Sequence, residues 1–412
     1  MTATHILGFL GILFIIGFIG DYLFKKISFP DILVLLGLGY VAGHVLHIVD
    51  PAWVAPASPV IANLSLVIIL FNGGLGLEFS QARASAPRAI ALALLGMAVS
   101  IIAATAFVYY VLHWEFMSSL LLGAIVGGTS PAIVMPLMGR GRVPAEVSSV
   151  LHIESALNGA LVIVVALVIL EVMTVGTSGD IGPAIGKAIG TRFLIGLGIG
   201  GAAGFAWLWV LTFIERELYD DILTLAVLFL LYLAVESLQG SGAIFAIVFG
   251  LILGNGMDFA RFMRTKRTTE IHNTMMTFHN QIYFIVKTLF FAYLGLMIAF
   301  DDLNVVVPSI ILSLALLAVR FMIVPVISAG NKRLLANTGM LATMLPRGLS
   351  AAVVAEIAAS SAIPDARLYP EIVIVVIATT VIISAVGIPV FARKSLGKKR
   401  ETMEEVGRPN SP

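Results

Sequence analysis

The sequence predicts an all-α membrane protein with about 13 transmembrane helices, built as two inverted six-helix repeats whose interrupted helices cross, and three observations lead there. The chain is 59% hydrophobic and only 12% charged, with a mean hydropathy of +1.02, whereas a soluble domain is roughly half apolar and a quarter charged. Apolar stretches of about 20 residues, each able to cross roughly 30 Å of hydrocarbon at about 1.5 Å per residue, recur from end to end. Two of these stretches carry helix-breaking sequences deep inside the apolar run, at equivalent places in the two halves.

The first span, about 5–24, has neither a basic leader nor a small-residue cleavage site and is expected to be retained. Span 2, about 30–48, holds Gly39 and Gly43. Span 7, about 190–213, holds Gly196, Gly200 and Gly204; this spacing lets helices approach closely, either inside the chain or across a dimer. Spans 3 and 4 cover about 60–77 and 86–112. Span 5, about 116–138, is broken by Gly127, Gly128, Thr129, Ser130 and Pro131, with Pro136 following. Span 6, about 147–172, carries Glu154, Ser155 and Asn158 at spacings of three and four, a polar stripe on an apolar helix. Spans 8 and 9 cover about 220–238 and 241–256; span 10, about 275–300, carries Lys287, and span 11, about 305–329, carries Arg320. Span 12, about 334–360, is broken by Pro346, Arg347 and Gly348, and span 13 covers about 368–392. The polar remainder, 393–412, is too short for a domain and is expected to be a disordered cytoplasmic tail.

Residues 1–392 thus read as one transporter-like unit. The repeats are about 5–172 and 220–392, span 7 is the linker, and the core bundle includes about 86–172 and 305–392. Span 5 answers span 12 in the opposite orientation. A backbone opened at the midplane is tolerated only where protein or a water-filled cavity satisfies it, so a polar site is expected where the two breaks meet.

Placing the amino terminus outside gathers Lys25, Lys26, Arg83, Arg88, Arg140, Arg142, Arg216, the basic run from Arg261 to Arg267, Lys332, Arg333 and the tail on one side, leaving Lys187, Arg192 and Arg367 opposite. That skew predicts a cell-membrane protein with its carboxyl terminus in the cytoplasm. The chain has no cysteine, which excludes disulfides, thiolate metal sites and thiol nucleophiles. No phosphate loop, metal-ligand cluster or catalytic triad is apparent, so neither an enzyme, nor a resident cofactor, nor a nucleic-acid partner is expected.

An ionisable group in hydrocarbon costs several kcal/mol unless paired or hydrated. Glu154 near Arg347 reads either as a structural ion pair or as a transport group. Lys287 is expected to neutralise a carboxylate, a helix carboxyl end or a transported anion, and Arg320 to reach a carbonyl or a water. His152 is expected to hydrogen-bond near the inner mouth, while Glu171, Glu236 and Glu356 lie toward span ends and are expected to be hydrated.

Five segments carry a resemblance to a known family: "ILFNGGLGLEFSQ" in span 3, "GAIVGGTSPAIVMPLM" in span 5, "IESALNGALVIV" in span 6, "FIVKTLFFAYLGLMI" in span 10 and "MLPRGLSAAVVAEIA" in span 12. In this order they resemble the NhaP-type sodium/proton antiporters of the monovalent cation:proton antiporter superfamily. The resemblance implies a homodimer in the lipid bilayer, with a six-helix core moving against a dimerisation domain to expose one ion site to either side. It implies that Thr129 and Ser155 contact a monovalent cation, that Glu154 and Arg347 form a buried pair, that Asn158 is the asparagine of an Asn-Asp motif, and that Lys287 is a basic position of span 10.

Two departures matter. Thr129-Ser130-Pro131 stands where the family usually has Thr-Asp-Pro, and Asn158-Gly159 where it usually has Asn-Asp. Hydroxyls and amides bind cations but do not titrate in the working range. Exchange of Na+ or K+ for H+ is therefore expected to use Glu154 as proton carrier, with Thr129, Ser130, Ser155 and Asn158 as neutral ligands. The alternatives are an anion or small acidic solute drawn to the positive midplane, or a sensor or inactive homologue that transports nothing.

Overall fold

The computed structural model describes residues 8, 11–20, 22, 31–76, 86–138, 143–175, 181–211, 213, 220–256, 269–297 and 303–406. Every regular element among these residues is helical. Helices satisfy their backbone within one segment, which is what an apolar solvent demands.

The amino-terminal part comprises α1 (Gly11–Gly20), α2 (Asp31–Tyr40) continued by a π turn at Val41–Val45, the short α3 (Pro51–Val54) and α4 (Ser58–Leu75). There follow α5 (Ala86–Phe107), continued by a π turn at Val108–Leu112, α6 (Phe116–Ile125), α7 (Pro131–Met138) and α8 (Ala145–Val175). The middle holds α9 (Ile181–Leu211), α10 (Asp220–Ser237) and α11 (Gly242–Gly254). The last part runs through α12 (Thr269–Met297), α13 (Leu303–Ile327), α14 (Lys332–Ala336), α15 (Thr338–Thr343), α16 (Leu349–Ala359) and α17 (Leu368–Val406).

Six helices among the described residues are long and apolar enough to cross a membrane, by length and composition. Six shorter apolar helices of 10–17 residues accompany them: α1, α2 with its π turn, α4, α6, α11 and α16. The segments read as spans 5 and 12 are each divided. Span 5 becomes α6 and α7, and span 12 becomes α14, α15 and α16.

Small residues set how closely the helices approach. A Cβ on Gly196 would stand 2.5 Å from the Ser241 carbonyl oxygen, one on Gly200 3.0 Å from that of Phe245, and one on Gly204 2.9 Å from Ile252 Cβ. The glycine ridge of α9 therefore packs against α11 inside the chain. On the other side of α11, a Cβ on Gly250 would lie 2.2 Å from the Phe71 carbonyl oxygen, and one on Gly254 2.2 Å from that of Leu75. Gly250→Val is expected to force α4 and α11 apart at about 1–3 kcal/mol, lowering the thermal midpoint in detergent. Gly201→Ala, with nothing within 4 Å of the added methyl, is expected to leave that midpoint unchanged or slightly higher.

Two details differ from the sequence reading. Helix α9 starts at Ile181, ahead of the expected boundary near 190. The tail is helical in backbone as far as Val406, because Lys, Arg, Glu and Met prolong a helix already nucleated by span 13. Glu171, exposed as expected near a span end, is also ion-paired with Arg192, tying α8 to α9. Lys25, Lys26, Arg83, Arg140, Arg142, Arg216 and the run 261–267, on which the orientation argument leans, lie outside the described residues.

Candidate functional site at the crossing of two broken helices

The first break follows from Gly127, Gly128 and Pro131. At the end of α6 the amides of Val126 and Gly127 turn back to the carbonyls of Leu122 (3.0 Å) and Ala124 (3.3 Å). Pro131 has no N–H to continue that helix, but its fixed φ suits the first position of a new one. The Ser130 carbonyl accepts from the amides of Ile133 (3.3 Å) and Val134 (3.0 Å), so Ser130 is the N-cap of α7. Helix α8 presses directly on the break: a Cβ on Gly128 would stand 2.5 Å from Val162 Cγ2 and 3.1 Å from Asn158 Cβ.

At the second break, between α15 and α16, four backbone groups find partners away from their own helix. Arg320 Nε donates to the Leu341 carbonyl at 2.9 Å, and Ser384 Oγ donates to that of Thr343 at 2.9 Å. The Arg347 amide donates to Thr380 Oγ1 at 3.0 Å. The Pro346 carbonyl accepts from the Ser130 amide at 2.9 Å, and this bond joins the two breaks. Gly348 caps α16 and lies against Ser130, whose Oγ would be 2.4 Å from an added Cβ.

Beside this crossing lies a buried polar chain. Asn158 Nδ2 donates to Thr129 Oγ1 at 3.1 Å and to Glu154 Oε1 at 3.4 Å. Arg320 closes the chain, its Nη1 and Nη2 donating to Glu154 Oε1 (2.6 Å) and Oε2 (2.7 Å). The i, i+4 spacing of Glu154 and Asn158 produces their shared face, as the sequence implied.

The partner of Glu154 corrects the sequence reading. The buried ion pair is Glu154 with Arg320, not with Arg347. A guanidinium fork approaching both carboxylate oxygens makes the strongest pair available to an arginine, and Arg320 on α13 has that approach. Arg347 lies within coulombic reach of both Arg320 and Glu154, yet its Nε has no hydrogen-bond partner. Ser130 Oγ and Asn158 Oδ1 are also buried without one. The charges of Glu154, Arg320 and Arg347 sum to one positive in excess.

The other expected residues lie on α8, α12 and α16. Ser155 is buried and donates to the His152 carbonyl of its own helix at 3.1 Å, keeping its lone pairs as ligand capacity. Lys287 is buried on α12, with Nζ 5.5 Å from the centroid of the Tyr283 ring. Glu356, read as a hydrated span-end residue, is half-buried and accepts from Tyr293 Oη at 3.1 Å, linking α16 to α12. Thr380 and Ser384 were missed. Two hydroxyls four residues apart in an apolar helix were their only signal, and each also bonds a carbonyl of its own helix.

Comparison with known proteins bears on this geometry. Residues 10–394 match the family described as the transmembrane part of sodium/hydrogen exchangers. The chain is 24% identical over 392 residues to the K+/H+ antiporter NhaP2 of Shewanella oneidensis, covering 90% of this chain and 63% of that protein. It is 28% identical over 305 residues to the probable Na+/H+ antiporter 2 of Methanocaldococcus jannaschii, covering 72% of this chain and 70% of that protein. Among solved structures, the sodium proton antiporter MjNhaP1 of Methanocaldococcus jannaschii at pH 8 has the same fold, with a TM-score of 0.82 at 22% identity over 96% of this chain and 100% of the other.

Proposed function

The chain belongs to the sodium/hydrogen exchanger family, and from that premise we propose that it is a secondary active transporter exchanging Na+ or K+ for H+ by alternating access. The observation that carries this reading is the bond from the Ser130 amide to the Pro346 carbonyl. It holds two helix breaks together beside a buried polar chain, the arrangement in which a transported ion replaces its water with backbone and hydroxyl oxygens. In this reading Thr129, Ser130, Ser155 and Asn158 offer neutral oxygens to the cation.

Glu154 is the proton carrier. Both of its oxygens are held by Arg320, so a proton has to displace a resident guanidinium. Asn158, bonded to Glu154 and to Thr129, passes that change to the cation ligands. The wider architecture belongs to the same proposal. It comprises thirteen helices in two inverted repeats, a core moving against a dimerisation domain, a homodimer in the cell membrane, and the amino terminus outside.

The second reading, an anion or small acidic solute carried by the same fold, is favoured by the buried Nε of Arg347, which lacks a hydrogen-bond partner. Purified protein in sealed vesicles with a preset pH gradient separates the readings. Pulses of Na+ or K+ are expected to collapse the gradient. Anion uptake that ignores the cation would transfer the case to the second reading, and folded protein that moves nothing would leave a non-transporting homologue.

A further inference from the structure

We infer that the crossing holds a binding site for a small monovalent anion, centred on Arg347 and assisted by Ser130. Four observations carry it. Arg347 is buried at 2% exposure, and its Nε lacks a partner. Ser130 is buried at 3%; its Oγ, at the N-cap of α7, is likewise unpartnered and does not cap its own helix. A serine hydroxyl left idle at an N-cap forgoes a bond it normally makes, and a buried unsatisfied group in a native protein calls for an ion or water to complete it.

Third, the amino ends of α7 (eight residues) and α16 (eleven residues) come together here. The Ser130 amide bonds the Pro346 carbonyl, and Gly348, with no side chain to cap α16, lies against Ser130. Both ends present partial positive charge to the same region. Fourth, Arg347 lies within coulombic reach of Arg320 and Glu154. Those two cancel in their bidentate pair, leaving one positive charge uncompensated.

One excess charge selects a monovalent partner, because a divalent anion would reverse the imbalance. Burial favours weakly hydrated anions such as chloride, bromide or nitrate, which lose least on leaving water. The anion does in this chain what a fixed carboxylate at position 130 would do. The inference shares the crossing with the second transport reading but does not need the anion to be the cargo. Loss of binding would sink it without touching cation flux, and absent flux would leave it standing.

The test uses the full-length protein purified in detergent, with chloride as the probe and the line broadening of its NMR signal as the readout. Wild type is expected to broaden the line in a saturable manner, and bromide or nitrate to reverse this while gluconate does not. Ser130→Asp, which installs a carboxylate at the crossing, is expected to weaken chloride binding at least about tenfold. Arg347→Gln is expected to do the same, and Ser130→Asp decides the matter if that variant does not fold. Equal saturable broadening in wild type and Ser130→Asp, or none in wild type, would overturn the site. Uptake of labelled chloride into vesicles then separates a carried anion from a resident counter-charge, and a bound anion satisfies the inference in either role.

Discussion

Arg320→Gln is expected to destabilise the protein by about 3–5 kcal/mol, read as a fall in the thermal midpoint and loss of monodispersity in detergent. The side chain is 9% exposed and its partner Glu154 1%, so neither charge has water to fall back on when the other is removed. Two further effects point the same way. The Leu341 carbonyl loses the Nε donor that satisfies it at the second break, and Arg347 loses a like-charged neighbour but also faces an unpaired carboxylate, a rearrangement that would pull the crossing toward Glu154. Glu154→Gln alone is expected to be nearly as damaging, because it leaves Arg320 and Arg347 as two buried positive charges.

The double variant Glu154→Gln/Arg320→Gln is the informative one. Replacing both members of a buried pair is often close to neutral, whereas removing one is not. It is therefore expected to recover most of the lost stability, less the contribution of the Leu341 bond. With folding restored, vesicle flux tests the proton carrier without a folding artefact. If Glu154 carries the proton, the stable double variant moves none. Exchange at the wild-type rate would exclude Glu154 and move the search to Glu356, the half-buried carboxylate that accepts from Tyr293 Oη.

The two breaks were legible in the sequence because their signals are local. Glycine and proline forbid a continuous helix wherever they are placed, so Gly127 to Pro131 and Pro346 to Gly348 announced themselves without any neighbour. The Glu154–Asn158 face was legible for the same reason, since helical spacing alone creates it. The partner of Glu154 was not. Arg320 lies 166 residues away in sequence, and a lone arginine in an apolar helix has the same sequence appearance whether it meets a carboxylate, a carbonyl or water. Arg347, at the break itself, was the more obvious candidate and the wrong one. Thr380 and Ser384 were hidden by a related ambiguity, because a hydroxyl in an apolar helix commonly bonds its own i−4 carbonyl, and these two do that while also serving the second break. The close helix pairs were half legible. The glycine spacing of α9 said that something approaches, and only the fold says that it is α11.

Restoring both absent carboxylates, Ser130→Asp with Gly159→Asp, is expected to raise the affinity for Na+ or K+ by at least about tenfold, since a fixed negative charge at a desolvated cation site contributes more than a hydroxyl. The two positions are not equally receptive. Ser130 is already an N-cap whose carbonyl opens α7, and aspartate is among the residues favoured there; its carboxylate also meets the excess charge left by Arg347. Gly159 is tighter: an added Cβ would stand 3.1 Å and 3.3 Å from the Pro131 ring, so the start of α7 must yield by a few tenths of an ångström. Ser130→Asp alone is therefore expected to fold well and to gain part of the affinity, while Gly159→Asp alone is expected to lose stability before it gains binding. Calorimetric titration of the purified variants with Na+ and K+ measures the affinity, and proton flux in vesicles shows whether a tighter cation now competes with the proton. Unchanged affinity in a folded double variant would place the cation away from the crossing, and with it the neutral-ligand role given to Thr129 and Asn158.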